Sequence, residues 1–368
     1  MENNDIYELC ETFGVKGEIV GVSILTSGHI NSTFKVDVDD AGKRKTYIVQ
    51  KVNDYVFKKP EELMENIINV TDFIRKKKTE NGHGRTLRFL KTQDGKGVAK
   101  VDKEYFRIYE YVPNTETYDI TDNPNIIYET GLAFGEFQSI LSDYPAGTLH
   151  ETIPNFHNTI DRFNNFEQAI INNFAGRADD VAYAIADYLD IKDLACQMTQ
   201  MQQAGVLPQR VTHNDTKCNN VLFDVKTKKH ACVIDLDTVM PGLAGFDFGD
   251  AIRFIANTAT EDEKDLTKVE LDLAKFRAFT EGFIDGCGES LTEKEIETLP
   301  LGAITMTAEC GARFLTDYLD GDRYFKINYP EHNLDRALCQ LKLAQDMIAK
   351  QPEMMQVIYE CLSKKELY

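Results

Sequence analysis

Val211-Thr212-His213-Asn214-Asp215-Thr216-Lys217-Cys218-Asn219-Asn220, running on into Val221-Leu222-Phe223-Asp224, decides how this chain is read. His213, Asp215 and Asn220 stand in the spacing H-x-D-x-x-x-x-N. Phosphoryl transfer needs a carboxylate that orients the attacking hydroxyl and accepts its proton, and soon after it a neutral oxygen ligand for a divalent cation. Four intervening residues let a loop turn back so that both side chains face one cleft. Asp215 is thus the expected catalytic base and acceptor-contacting group, and Asn220 a metal ligand. Lys217 is the cation that neutralises the migrating phosphoryl group.

Downstream, His230-Ala231-Cys232-Val233-Ile234-Asp235-Leu236-Asp237 reads as a short apolar strand ending in two alternate carboxylates. On a strand, Asp235 and Asp237 would point to one side, as a hard cation with oxygen ligands requires. Pro241 to Asp250 then opens a helix containing Ile252 and Phe254. Asp247 and Asp250 lie one turn apart there. One of them is expected to brace the catalytic loop by accepting backbone N–H bonds, in a supporting role shared with His213, and capping of the helix N-terminus is the equal alternative.

Upstream, the first third is strand-rich. Glu18 to Leu25 alternates into Thr26-Ser27-Gly28-His29-Ile30-Asn31, and Ser32–Val38 and Lys45–Val52 flank the hairpin signal Asp39-Asp40-Ala41-Gly42. Gly28 in the Gly28-His29-Ile30-Asn31-Ser32 stretch would let backbone amides approach phosphate oxygens. Pro60 opens a helix with Leu63, Ile67, Val70 and Ile74 at helical spacing, and a second hairpin is expected around Asp94-Gly95-Lys96-Gly97, leading into Tyr105–Val112. After Pro113 the stretches Tyr128–Leu141, Phe163–Phe174, Ala182–Gln203, Lys268–Phe283 and Lys294–Leu319 read as amphipathic helices, interrupted by the β-rich island Val221–Asp237. At 368 residues the chain exceeds the usual single-core size. The expected fold is α+β and bilobal. A small antiparallel-sheet lobe, residues 1–112, would bind nucleotide, and a larger mostly helical lobe, residues 113–368, would carry catalysis and substrate.

His213-x-Asp215-x4-Asn220, Ile234-Asp235 and Phe248-Gly249-Asp250 together resemble the phosphotransferase family of aminoglycoside, choline and homoserine kinases. Within it, several stretches are similar to the N-acetylhexosamine 1-kinases. They are Val211–Lys217, Ile234–Thr238, Phe246-Asp247-Phe248-Gly249-Asp250-x-Ile252-Arg253-Phe254, Glu309-Cys310-Gly311-x-Arg313-Phe314-Leu315-x-Asp317-Tyr318-Leu319 and Tyr329-Pro330-Glu331-His332-Asn333-Leu334. The resemblance implies a protein-kinase-like fold with ATP between the lobes, Asp215 as base, and Asn220 and Asp235 on Mg²⁺. It also places Gly28 and Asn31 over the phosphates, and Tyr109, Glu110, Tyr111 and Val112 beside adenine. Arg313 and Tyr324 would hold a hexose. Arg313 on an apolar helical stretch already needs a partner on physical grounds.

One position departs from the kinase pattern. The third strand of kinases usually carries a lysine paired with a glutamate of the next helix. Here Gln50 stands at that place among the nucleotide-binding positions, Lys51 points to the opposite face, and Glu61, Glu62 and Glu65 are the available helix carboxylates.

Composition narrows the function further. Sixty acidic residues against 41 basic ones give a net charge of −19. Such a chain would repel a nucleic acid, whose binding rests on phosphate neutralisation. Eight cysteines without a C-x-x-C pair read as reduced, buried thiols. The polar start Met1-Glu2-Asn3-Asn4-Asp5 does not read as a signal peptide, and no apolar run has the length of a membrane span. A cytoplasmic monomer or homodimer acting on a small-molecule sugar with ATP and Mg²⁺ is the expectation. A kinase of choline, homoserine or an aminoglycoside, and a non-catalytic nucleotide-binding protein, are the alternatives.

Overall fold

The computed structural model describes residues 3–25, 33–81 and 85–365. Gly28 and Asn31 lie outside the described residues. The elements, in chain order, begin with α1 (Asn3–Thr12), β1 (Glu18–Leu25), β2 (Thr33–Asp40), β3 (Lys43–Val52), α2 (Pro60–Asn81), β4 (Ala99–Val101), β5 (Glu104–Glu110) and β6 (Thr115–Glu116). They continue with α3 (Pro124–Ile140), α4 (Thr159–Asn172), α5 (Ala182–Gln203), β7 (Arg210–Thr212), β8 (Val221–Asp224), β9 (His230–Val233) and β10 (Met240–Gly242). The remainder is helical: α6 (Ala244–Ile255), α7 (Leu273–Cys287), α8 (Glu293–Glu297), α9 (Leu299–Asp320), α10 (His332–Ala349) and α11 (Gln351–Lys365). The molecule is α+β, with one antiparallel sheet near its start and helices over most of the rest.

The sheet has the order β1-β2-β3-β5-β4. Its β2–β3 turn is Ala41-Gly42, with φ of 54° and 83°. Two successive left-handed residues match the right-handed twist of the flanking strands, as the hairpin signal implied. The second hairpin differs from expectation. β4 and β5 turn at Asp102-Lys103, with Val101 opposite Glu104. The Asp94-Gly95 turn, closed by Thr92 N–H donating to Lys96 O at 2.8 Å, only leads the chain into β4. Both segments carry turn residues, and pairing with β5 decides which one becomes the hairpin.

Pleating gives the sheet two distinct faces. Val36, Val38, Tyr47, Val49, Phe106 and Ile108 pack with Ile6, Leu9 and Phe13 of α1 and its exit. The opposite face carries Gln50, Val52, Arg107 and Tyr109. Helix α2 buries Leu63, Ile67, Val70 and Ile74 at the predicted spacing. Their neighbours include Phe137 and Leu141 from α3 and its end, together with Leu149, Val211, Leu236 and Val239. Asn66 reinforces the seam by donating to His150 O at 2.8 Å and Val239 O at 3.2 Å. A helix that belongs in sequence to the strand-rich region therefore packs on the catalytic one.

Several helix boundaries shift from the sequence reading, among them the start of the helix read from Tyr128, which lies at Pro124. The stretch expected to be helical from Lys268 starts at Leu273, because Asp272 caps it by accepting from Ala274 and Lys275 N–H. The expected Lys294–Leu319 helix is two helices broken at Thr298, with Pro300 in the first turn of α9. Helix α4 begins at Thr159 and leaves Phe174 outside, 64% exposed. Helices α3 and α7 approach closely through paired glycines. A Cβ on Gly282 would meet Tyr128 O at 2.0 Å, and one on Gly131 would meet Phe279 O at 2.2 Å.

Candidate active site

β7 and β10 pair antiparallel, Thr212 opposite Met240, and the chain leaves β7 into the H-x-D-x4-N loop. His213 is fully buried, with the rings of Phe134 and Phe137 against it at 5.4 and 6.0 Å. Its Nδ1 accepts from the Asp215 N–H at 3.2 Å, so Nε2 carries the proton toward Ile234 O, 2.8 Å away. Asn214 adopts a left-handed backbone, φ 64°, and donates through Nδ2 to Thr238 O at 2.8 Å. Thr238 Oγ1 in turn donates to His213 O at 2.6 Å. A non-glycine residue in this region is strained unless its surroundings hold it, and Asn tolerates it best.

The two aspartates of α6 supply the remaining support. Buried Asp247 accepts from His213 N–H at 2.9 Å, Asn214 N–H at 2.7 Å and Gln138 Nε2 at 2.7 Å. Burial nevertheless holds its pKa above the usual carboxylate range. Asp250 accepts from Thr216 N–H at 3.0 Å and from Arg253 at 2.9 Å. Burial works against its charge, but Arg253 and Lys217 outweigh that and lower its pKa. Of the two roles expected for these aspartates, bracing the loop is the one the structure takes. Gly249 between them is needed because α6 crosses α9 there: a Cβ would meet Gly302 O at 2.2 Å.

On this scaffold Asp215, Lys217 and Asn220 converge. Lys217 Nζ lies 2.8 Å from Asp215 Oδ1, and Asn220 Nδ2 donates to Asp215 Oδ2 at 3.1 Å and to its carbonyl at 2.8 Å. Burial disfavours the charge of Lys217, yet Asp215 and Asp250 overcome it and raise its pKa; its Nζ also sits 5.0 Å over the Phe254 ring. Asn220 spends its NH₂ on Asp215, which leaves its amide oxygen without a hydrogen bond among the described residues. Its carbonyl accepts from Ile234 N–H at 2.9 Å, which brings Asp235 alongside.

The two downstream aspartates are not on a strand. β9 ends at Val233, Asp235 is left-handed with φ 57°, and Leu236–Thr238 form a single 3₁₀ turn. They therefore diverge. Asp235 is open to solvent, while Asp237 is buried and pairs with Arg107. Thinned hydration between protein walls, and then the negative charges of Asp237 and Asp215, push the Asp235 carboxyl up to about 6. Among the described residues no three His, Cys, Asp or Glu side chains form a metal cage by themselves.

Arg107 carried no signal in the sequence. It sits on β5 directly opposite Gln50 and is 3% exposed. Gln50 Oε1 accepts from its Nε at 2.9 Å and its Nη2 at 2.7 Å. The helix carboxylates do not take part: Glu62 pairs with Lys59, Glu65 lies against His150, and Glu61 is exposed. Lys51 pairs outward with Glu104, on the face expected. At the end of β5, Tyr109 packs on Phe89 at 5.0 Å and Glu110 lies 3.2 Å from Arg88. Lys35 sits over the Tyr111 ring at 4.9 Å, and the Val112 N–H has no hydrogen-bond partner among the described residues.

Across the loop, Arg313 of α9 is half-buried, its guanidinium 5.8 Å from the Phe156 ring and 5.6 Å from Phe325. Among the described residues it makes no hydrogen bond or ion pair, so the partner demanded by an arginine on an apolar helix is aromatic. Glu309, one turn earlier, receives His157 Nδ1 at 2.8 Å and Thr159 Oγ1 at 2.6 Å, and His157 Nε2 lies 3.4 Å from Asn214 O. Tyr324 is 69% exposed. Its loop is held by Asp317, which accepts from the N–H groups of Arg323, Tyr324 and Phe325 at 2.8–2.9 Å.

Residues 21–279 match the phosphotransferase enzyme family, APH. The chain belongs to this family. Solved structures support the same architecture. The microcompartment-associated aminopropanol kinase aligns with a TM-score of 0.62 at 17% identity, covering 95% of this chain and 98% of its own. A putative aminoglycoside phosphotransferase from Ralstonia eutropha gives 0.58 at 14%, covering 98% of each chain. Spectinomycin phosphotransferase, solved with ADP and spectinomycin, gives 0.55 at 12%, also covering 98% of each. At such identities the likeness speaks for the fold alone, and that fold is the bilobal protein-kinase-like one. Among the described residues no helix is long and apolar enough to cross a membrane.

Proposed function

We propose that this member of the phosphotransferase family moves the γ-phosphate of Mg²⁺-ATP onto the anomeric hydroxyl of an N-acetylhexosamine. The reading is carried by the Asp215 carboxylate, held between Lys217 Nζ at 2.8 Å and Asn220 Nδ2 at 3.1 Å on a loop that Asp247 fixes from behind. Asp215 orients the sugar hydroxyl and takes its proton as the oxygen attacks phosphorus. An anomeric hydroxyl is more acidic than an ordinary alcohol, so a carboxylate is a competent base for it. Lys217 offsets charge on the transferring group. The residues fit a divalent cation. The free amide oxygen of Asn220 and the open carboxylate of Asp235 are hard donors, and crowding of negative charge at Asp235 is what a cation relieves. Mg²⁺ typically completes its shell with phosphate oxygens and water, and it would supply charge neutralisation on the phosphates. The uncommitted Val112 N–H suits an adenine ring nitrogen.

Arg313 supports the choice of acceptor. A half-buried guanidinium with open donors selects neutral or anionic oxygens and disfavours the cationic amines of choline and aminoglycosides. Tyr324, exposed at the rim, is the second sugar contact. Incubation with ATP, Mg²⁺ and N-acetylglucosamine or N-acetylgalactosamine should yield the sugar 1-phosphate. An acceptor panel that also holds choline, homoserine and an aminoglycoside tests the choice. Product from the amines and none from either sugar would overturn it.

A further inference from the structure

The strand-lobe cation of this chain has moved, and its counter-charge has moved with it. Thr33 of β2, Gln50 of β3 and Arg107 of β5 are direct cross-strand neighbours in one row of the sheet. Gln50 Nε2 donates to Thr33 Oγ1 at 3.1 Å, and Gln50 Oε1 receives both the Nε and an Nη2 proton of Arg107. The remaining terminal nitrogen of Arg107 reaches Asp237, two residues beyond Asp235, and lies 3.8 Å from Met64 Sδ on α2. The α2 side chain in contact with this cation is thus a thioether and not a carboxylate. The partner carboxylate is supplied by the 236–238 turn instead.

We infer that the row Thr33–Gln50–Arg107–Asp237 replaces the kinase lysine–glutamate pair, and that Arg107 is a positioning residue for nucleotide binding. A lysine–glutamate pair closes within the strand lobe. This one runs from the first residue of β2, across β3 and β5, to the turn that presents Asp235. It couples the sheet to the metal-side carboxylate through a buried, charge-assisted contact. Both members of the ion pair are nearly inaccessible, with side chains 3% and 6% exposed. Removing one would leave the other's buried charge without its ion-pair partner, a cost that favours the turn in this arrangement. Arg107 directs its fork at Gln50 and Asp237, so it acts through them on the nucleotide.

The inference rests on the kinase reading, and the test keeps the two apart by measuring Mg²⁺-ADP binding by calorimetry without any acceptor. Arg107→Met should weaken Mg²⁺-ADP about tenfold or more, with the KM for the acceptor within about twofold of the parent. Arg107→Lys, which keeps the charge and loses the fork, should recover part of that loss. Gln50→Lys restores the residue usual in kinases but sets two cations against one carboxylate. It should bind Mg²⁺-ADP less tightly than the parent, and Gln50→Lys/Arg107→Gln should bind about threefold or more tightly than Gln50→Lys alone. Should Arg107→Met fail to fold, the Gln50 pair of variants decides. Unchanged nucleotide affinity in Arg107→Met, or parental or better affinity in Gln50→Lys, overturns the inference. A parent chain that binds Mg²⁺-ADP but phosphorylates no sugar refutes the acceptor and leaves this inference standing.

Discussion

The catalytic loop and the strand-lobe anchor do comparable electrostatic work, but they are assembled in opposite ways. In the loop, Asp215, Lys217 and Asn220 lie within six consecutive residues, and Lys217 and Asn220 both contact Asp215 directly. In the strand lobe, Gln50, Arg107 and Asp237 come from three separated segments and meet only because β3 pairs with β5 and the 236–238 turn folds against them. Local assembly preserves a motif that can be read by eye. Assembly at a distance lets the charge change position, as it has here, while the buried pair stays intact.

The comparison breaks most sharply at Asp215. Asp215→Asn should lower turnover about 10²- to 10⁴-fold with little change in nucleotide affinity, because a base acts in the transition state. Single-turnover kinetics beside calorimetry would check both halves. A near-parental rate removes Asp215 from the mechanism. Asp247→Ala tests whether the loop is as self-contained as its sequence suggests. It strands two buried backbone N–H groups and removes one of the two acceptors of the Gln138 amide, and should cost about 2–4 kcal/mol in a denaturant titration, with turnover falling as well. If activity falls and stability does not, Asp247 touches the chemistry more directly than its hydrogen bonds indicate.

The metal side offers a subtler test. The folded pKa of Asp235, about 6, lies above its ordinary value, so its ionisation opposes folding as pH rises through that interval. A divalent cation at Asn220 and Asp235 needs the ionised form and removes the penalty. The rise in Tm on adding Mg²⁺ and ADP should be largest near about pH 8 and shrink as pH falls through about 6. An increment equal on both sides of that pH places the cation elsewhere. The smallest effect sharpens the comparison from the other lobe. Lys51→Ala removes only an exposed pairing with Glu104 and should change stability by less than about 0.5 kcal/mol, with nucleotide affinity unmoved. A clear loss of affinity would return the anchor to the third strand.

Helix α2 shows how far tertiary packing overrides position in the sequence. Its apolar stripe was legible from Leu63, Ile67, Val70 and Ile74, yet nothing in the stripe says that Leu149, Val211 and Val239 cover it. The pair Asp235 and Asp237 shows the same limit at the site. Alternation suggested a strand that aims both at one cation. One left-handed residue turns the backbone, and Asp237 leaves for Arg107. The glycines of α3 and α7 are a third instance, since their spacing is visible but the close approach that requires them is not.

The sequence alone determined the α+β order of elements and the close spacing of Asp215, Lys217 and Asn220, because each depends on residues a few positions apart whose backbone geometry fixes what they can reach. Tertiary structure decided which carboxylate stays open to a cation, which cation serves the strand lobe and what surrounds Arg313. Those outcomes depend on burial and on charges brought together from distant segments, and the cost of leaving a buried charge unpaired is settled only when the chain has closed around it.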